Sequence, residues 1–490
     1  MKSYRAYSPE QSYLLPPSPR EWLPEGHLAY FILRLVQELD LSAIENVVQA
    51  KDPRGERAYA PEMMTSLLLY AYATGVYSSR RIARACVEDI AFRVLAANAQ
   101  PHFTTINEFR LAHLAALGAL FVQVLKACQS EGLVKLEHVA IDGTKMKANA
   151  SKHKAMSYDR MEKDEARLRG EIQEWFKRAE AADAEEDAIH GRPDPQEEIR
   201  LRQERLAKME RAKEALKKEV ATARATRLRE QAEELRKKAE DESATPKARA
   251  LTATLAKKRD QQASLFDDDD QDPPTPRSDA DLPRNTPPHR PDGTPKPEAQ
   301  RNFTDPDSRI MFRDGTYLQS YNAQIAVDEE HQIIVAAAVG NQGPDNEYFE
   351  PMLRRVVSNC DAVPKTVTAD SGYFSKAAVR FAEHAGTEPF ISVGKHQNDG
   401  TQGTAPELPH HRGDLKLRMR ALLESERGHD IYARRKCTVE PVFGQIRSPR
   451  RFGQFSFRGL LKNRGEWLLI CLTHNVLKLW RTRPALALAA

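Results

Sequence analysis

Apolar positions recur at helical spacing over the first quarter of the chain, at strand spacing in several short runs later, and hardly at all in a long charged stretch between them. From His27 to Leu133 helical patterns follow one another, punctuated at Pro53 to Gly55, at Gly75 and at Pro101. Pro61 to Ala73 predicts one helix. Ser78 or Ser79 caps a second, which runs on through RRIARACVEDIAFRVLAA, and a third starts near Thr104 or Thr105 with Glu108 placed for a capping box. Residues before about 25 are rich in Pro, Ser and Tyr and read as an arm.

The texture changes at Val134. Leu136 to Thr144 is a β-branched and apolar run ended by Asp-Gly, which predicts a buried strand with Asp142 at its C-terminal end. Strand character returns near Met311, and Thr316 to Val327 and Gln332 to Val339 flank the turn DEEH as a hairpin. Pro344 to Val357 reads as a helix, Pro364 to Asp370 as another strand ended by an acid, and Ser375 to His384 as a helix stopped by Gly386. Glu388 to Val393 adds a strand. Val439, Val442, Phe443 and Ile446 then form an apolar helical stripe, and Gly465 to Trp480 closes as an apolar helix.

Between Asp159 and Lys258, Glu, Lys, Arg and Ala dominate. Leu206, Met209, Leu216, Val220 and Ala223 approximate a and d positions, with Lys213 intruding at one a, and GRPDP at Gly191 to Pro195 divides the stretch into two arms. An antiparallel helical hairpin is the simplest geometry. Gln261 to Arg301, with the acidic run Asp267 to Asp270 and many prolines, reads as a disordered linker. The organisation expected is a helical N-terminal domain (1–133), an α/β domain in two pieces (134–158 and 302–480), a charged insertion between them (159–301) and a short tail (481–490).

Composition adds bounds to this layout. At 490 residues, 40% hydrophobic and 29% charged, the chain can build two or three cores yet leaves part of itself poorly packed. The net charge of only +4 hides a segregation, with bases concentrated toward the C-terminus, which points to a polyanionic partner. Cys86, Cys128, Cys360, Cys437 and Cys471 have neither CxxC pairs nor zinc-ligand spacing, so the expected compartment is the reducing cytoplasm. The N-terminus has no apolar signal core, and the most apolar later run, Trp467 to Leu472, is far too short for a membrane span; neither export nor a membrane partner is expected. Arg80, Arg81 and Arg84 near the start of the second helix resemble a helix-turn-helix arrangement; a packing domain with its arginines in water uses the same residues.

The chemistry rests on three acids. Asp142 and Asp370 end strands, where open α/β sheets place their sites, and Glu440 lies on the striped helix among Arg434, Arg435, Lys436 and Arg447. Setting aside the charged stretch of roughly 150 residues leaves about 80 between the two aspartates, the length of two strands, a helix and another strand. That element order is the order of a ribonuclease-H-like mixed sheet with flanking helices. Two strand-end Asp residues and one helical Glu suit two Mg2+ ions, or Mn2+ in their place, for phosphodiester chemistry. Lys145, Lys147, Arg450 and Arg451 are placed to neutralise phosphates.

The segments AIDGTKMKANAS, TVTADSGYFS and YARRKCTVEPVFGQIR resemble the signatures of bacterial insertion-sequence transposases of the DDE type, in the branch whose third motif is Tyr, Arg, Glu and Lys. The resemblance implies that Asp142, Asp370 and Glu440 are catalytic metal ligands and that Tyr432, Arg435 and Arg447 contact DNA phosphates. Four residues rather than three separate Arg435 from Glu440, so Lys436 is the alternative occupant of that role, and Arg447 stands where the family has Lys. The implied partners are double-stranded DNA, as terminal inverted repeats and target, and further copies of the chain in a dimer or higher oligomer. The implied activity is cleavage of element ends and transfer of the 3′-hydroxyl to target DNA. A nuclease without strand transfer and a domesticated DNA-binding regulator are the alternatives.

Overall fold

The computed structural model describes residues 21–50, 58–151, 154–183, 195–240, 245–264, 282–394 and 415–482. Most of the N-terminal arm, the acidic run and the loop with His410 and His411 lie outside these residues. The first helical patterns become α1 (Leu28–Glu38), α2 (Ser42–Gln49), α3 (Pro61–Ala73), α4 (Ser79–Glu88), α5 (Ile90–Leu95) and α6 (Phe103–Ser130). The single helix expected after Ser78 is two, because the Asp89 carboxylate accepts the amides of Ala91 and Phe92 and starts a new helix there. α6 begins before the threonines, capped by the His102 ring and not by a capping box. Two of the three arginines of α4 are engaged locally, Arg84 with Glu88 at 2.8 Å and Arg80 over the Phe103 ring at 4.9 Å.

The remaining elements are β1 (His138–Lys147), β2 (Ala155–Ser157), α7 (Tyr158–Asp183), α8 (Pro195–Glu240), α9 (Pro246–Ser264), β3 (Gln300–Asn302), β4 (Arg309–Arg313), β5 (Thr316–Asp328) and β6 (Ile334–Gly340). They are followed by α10 (Phe349–Cys360), β7 (Thr366–Ala369), α11 (Lys376–Ala385), β8 (Glu388–Ile391), α12 (Leu415–Glu424), α13 (Glu426–Arg447) and α14 (Leu460–Thr482). The main sheet runs β4-β5-β1-β7-β8, with β6 also paired to β5; β1 is antiparallel to β5 and parallel to β7. This is the mixed α/β, ribonuclease-H-like architecture expected. β1 does not stop at Asp-Gly. It continues to Lys147 because β5 offers a partner along its whole length, from Val139 opposite Asp328 to Lys147 opposite Ser320. The helix expected from Pro344 starts instead at Phe349, after a turn in which the Tyr348 amide donates to the Asp345 carbonyl.

Among the described residues the insertion holds three helices: the expected antiparallel pair, α7 and α8, and a further helix, α9, packed on α8. α7 and α8 run antiparallel, since Glu165 pairs with Lys213, Arg169 with Glu210 and Glu171 with Arg202. Lys213, the charge at an a position, stays half-buried by pairing with Glu165 at 2.9 Å and lying over the Tyr158 ring at 5.6 Å. Residues 282–301 are likewise no disordered linker: Leu282 is buried, the Asn285 amide donates to Asn341, and β3 pairs with β2.

The helical N-terminal region shares one hydrophobic core with the sheet, continuous from Leu28 to Leu479. α14 carries much of that continuity, lying against α3, α6 and β6. Gly465 permits the approach to α6, because a Cβ there would sit 2.6 Å from Leu114 Cγ. By length and composition α6 could cross a membrane, and it is more apolar over that length than the run at Trp467; Leu117, Leu120, Phe121, Val124 and Leu125 bury it in the core instead.

Candidate active site

The parallel pairing of β1 with β7 ends at Ile141 opposite Ala369, so the next residue on each strand is an aspartate. Asp142 and Asp370 therefore stand on neighbouring strands about 4.8 Å apart in the sheet direction. Asp370 leaves the sheet as the cap of a short turn, its carboxylate accepting the Gly372 amide at 2.8 Å. Asp142 accepts the Gly143 amide at 2.8 Å and the Arg435 guanidinium at 3.1 Å. Burial pushes the Asp142 carboxyl up from its ordinary 3.8 to about 6, with the Asp370 charge adding to the rise, and outweighs the attraction of Arg435. Burial opposes the charge of Arg435 as well, but Asp142, Tyr432 and Asp370 together hold its pKa above the ordinary value.

A stability consequence follows. Between about pH 4 and 6 native Asp142 retains a proton that the unfolded chain has released, so in chelator the protein should lose stability as pH rises through that window. Denaturant midpoints at the two ends of the window check it. The loss should shrink in Asp142→Asn.

Under the two acids lies a polar network that the strand patterns did not reveal. Asp345 accepts Lys145 Nζ at 2.9 Å, Asn322 Nδ2 at 2.6 Å and Gln324 Nε2 at 2.9 Å, and Gln324 in turn accepts the Tyr373 hydroxyl. Gln324 sits opposite Gly143, where a Cβ would come within 2.2 Å of its Nε2; hence the residue after Asp142 has no side chain. The available signal was two amides, Asn322 and Gln324, two residues apart and so on one face of the strand.

On α13 the buried side is Arg435, Thr438, Val439, Val442, Phe443 and Ile446. Pro441 lies inside this helix and cannot donate to the Cys437 carbonyl; Gln332 Nε2 does so instead at 3.0 Å, tying α13 to the turn between β5 and β6. Glu440 is exposed on the flank, without a hydrogen bond or ion pair among the described residues. Arg435 faces Asp142 and stacks over Tyr432 at 5.7 Å, whereas Lys436 is exposed, so of the two bases Arg435 is the inward one. Arg447 is half-buried, and burial and then the neighbouring Arg313 lower its pKa while Asp142 works the other way.

Asp142 and Asp370 are thus brought together, but among the described residues no three His, Cys, Asp or Glu side chains gather closely enough to hold an ion. The pair itself fits a hard divalent cation, since it offers carboxylate oxygens from neighbouring strands at one end of the β1–β7 pairing. Lys147 and Arg451 are exposed, and Lys145 is taken up by Asp345. Arg450 departs from its expected place: it is 4% exposed and donates to the carbonyls of Tyr72 and Ile470, so it cannot reach a phosphate.

Residues 285–476 match the family model described as a transposase DDE domain, and residues 17–111 match one described as a transposase domain (DUF772). The first interval contains Asp370 and Glu440; Asp142 precedes it and is set beside Asp370 by the pairing of β1 with β7. No curated protein and no solved structure matches the chain.

Proposed function

From a chain that belongs to the DDE transposases of insertion sequences, we propose an enzyme that binds the terminal inverted repeats of its element, cleaves the DNA ends and joins the 3′-hydroxyl to target DNA. The observation that carries this reading is the placement of Asp142 and Asp370 as the next residues after the last β1–β7 pair, in a chain whose two matched intervals are both transposase domains.

Asp142 and Asp370 would hold divalent ions, Mg2+ or Mn2+, with Glu440 the third ligand from the flank of α13. When bound, such ions lower the pKa of an attacking water or hydroxyl and stabilise the leaving oxygen. Arg435 holds Asp142 from the side of α13, and the Gln324–Tyr373 contact fixes the turn that carries Asp370. Tyr432, Lys436, Arg447, Lys147 and Arg451 are available to the DNA backbone, whereas Lys145 belongs to the frame under the site. Joining two ends to one target calls for a dimer or higher oligomer on DNA, acting on cytoplasmic, nucleoid DNA.

Incubation with Mg2+, a duplex carrying one element end and a supercoiled target plasmid tests the reading. Joined products are expected. Cleavage without joining would reduce the activity to that of a nuclease, and specific binding without cleavage to that of a regulator.

A further inference from the structure

The insertion carries a cleft between α8 and the loop 288–296, with a volume of about 390 Å³. It is lined by Arg224 and Arg227 from the helix and by His289, Arg290 and Lys296 from the loop, and among the described residues no carboxylate lines it. The loop is built to stay there. The Lys296 amide donates to the Pro288 carbonyl, the Arg290 amide to the Thr294 carbonyl, and the Asp292 carboxylate accepts the amide and hydroxyl of Thr294, closing a tight turn at Gly293. Arg224 fastens that turn to α8 by donating to the Pro291 carbonyl, which leaves Arg227, Arg290 and Lys296 exposed around the opening.

Glu230 lies near Arg227 and Asp292 near Arg290, so the four cations outnumber the acids beside them, and a bound polyanion would offset the repulsion that is left. The cleft is also fixed relative to the catalytic sheet. Glu219 of α8 pairs with Arg301 of β3 and Arg309 of β4, and Arg227 follows about 12 Å further along the same helix at 1.5 Å per residue. β4 in turn reaches β1, where Arg313 Nη1 donates to the Lys145 carbonyl at 2.9 Å.

We propose that this cleft grips the phosphate backbone of duplex DNA, so that the insertion is a second DNA-holding element set at a fixed distance from the acids. The inference rests on the transposase reading, and it goes beyond that reading by giving the insertion a partner and a contact surface. Phosphate contacts here would be independent of sequence and sensitive to salt.

The test is the salt dependence of binding to a random-sequence duplex, followed by fluorescence anisotropy without added divalent metal. In R227Q/K296Q, which removes two exposed charges and leaves the Arg224 fastening intact, the slope of log K against log salt should become shallower by about two, close to 0.9 per lost phosphate contact. Because both side chains are exposed the fold should hold, and the reversal R227E/K296E must shift the slope further in the same direction. Wild-type slopes in both variants would overturn the cleft and leave the proposed function standing. A wild-type protein that binds no duplex would overturn both.

Discussion

Replacement of Asp370 by Asn should lower metal-dependent DNA cleavage at least about 10³-fold while the protein stays folded. The amide keeps the shape of the carboxylate and an oxygen that can still accept the Gly372 amide, so the turn Ser371–Tyr373 has no reason to open. What is lost is a formal charge and a hard ligand. The Lewis-acid contribution of a bound divalent ion is several kcal/mol, and each 1.36 kcal/mol is tenfold in rate, which puts the loss at about three orders of magnitude or more. The same substitution removes a like charge beside Asp142, so the Asp142 carboxyl should ionise at lower pH. Cleavage assays across Mg2+ concentration, with thermal melting in parallel, separate the outcomes. Cleavage within tenfold of wild type would remove Asp370 from the chemistry, and lost cleavage with a collapsed melt would mark a structural residue instead.

What could be read from the residues alone was what local pattern controls. Both aspartates announce themselves as the acid that follows a β-branched run, and the chain places them side by side after Ile141 and Ala369. Where β1 ends was not local information, because Asp-Gly favours a turn in isolation and only the length of β5 carries the strand on to Lys147. The inward choice of Arg435 over Lys436 likewise follows from how α13 turns against β1, which the spacing to Glu440 left open. Residues 288–296 looked like linker because they have almost no apolar side chains, yet backbone hydrogen bonds and the Asp292–Gly293 turn hold them without a core of their own. Asn322 and Gln324 fell inside the strand expected over Thr316 to Val327 without being singled out; their shared face under Gly143 becomes meaningful only once Asp345 is brought beneath the sheet.

Arg450 shows the opposite error, a base in a basic run, SPRRF, that suggests a DNA contact and is structural. Replacing it by Met should cost about 3 kcal/mol of apparent stability, among the larger effects available in this chain. Its guanidinium donates to the Tyr72 carbonyl at 3.2 Å, to the Ile470 carbonyl at 3.1 Å and to the Thr473 hydroxyl, joining α3 to α14, and its own carbonyl accepts the Tyr77 hydroxyl at 2.7 Å. Burial lowers the pKa of Arg450, so relief from a desolvated charge offsets part of the loss on replacement. The acceptors left behind are buried and each costs about 1–3 kcal/mol without a donor, which decides the sign. Beside this weld the buried Glu466 accepts the Tyr72 hydroxyl and the Ser456 amide, so loosening α3 from α14 also exposes a carboxylate's partners. The N-terminal helices and the sheet should consequently lose stability together in R450M, seen as one transition at lower denaturant, while the salt slope of DNA binding by the folded protein stays at its wild-type value. An unchanged denaturation midpoint with a shallower salt slope would place Arg450 on the DNA surface after all and break the account of how the two matched domains are held as one body.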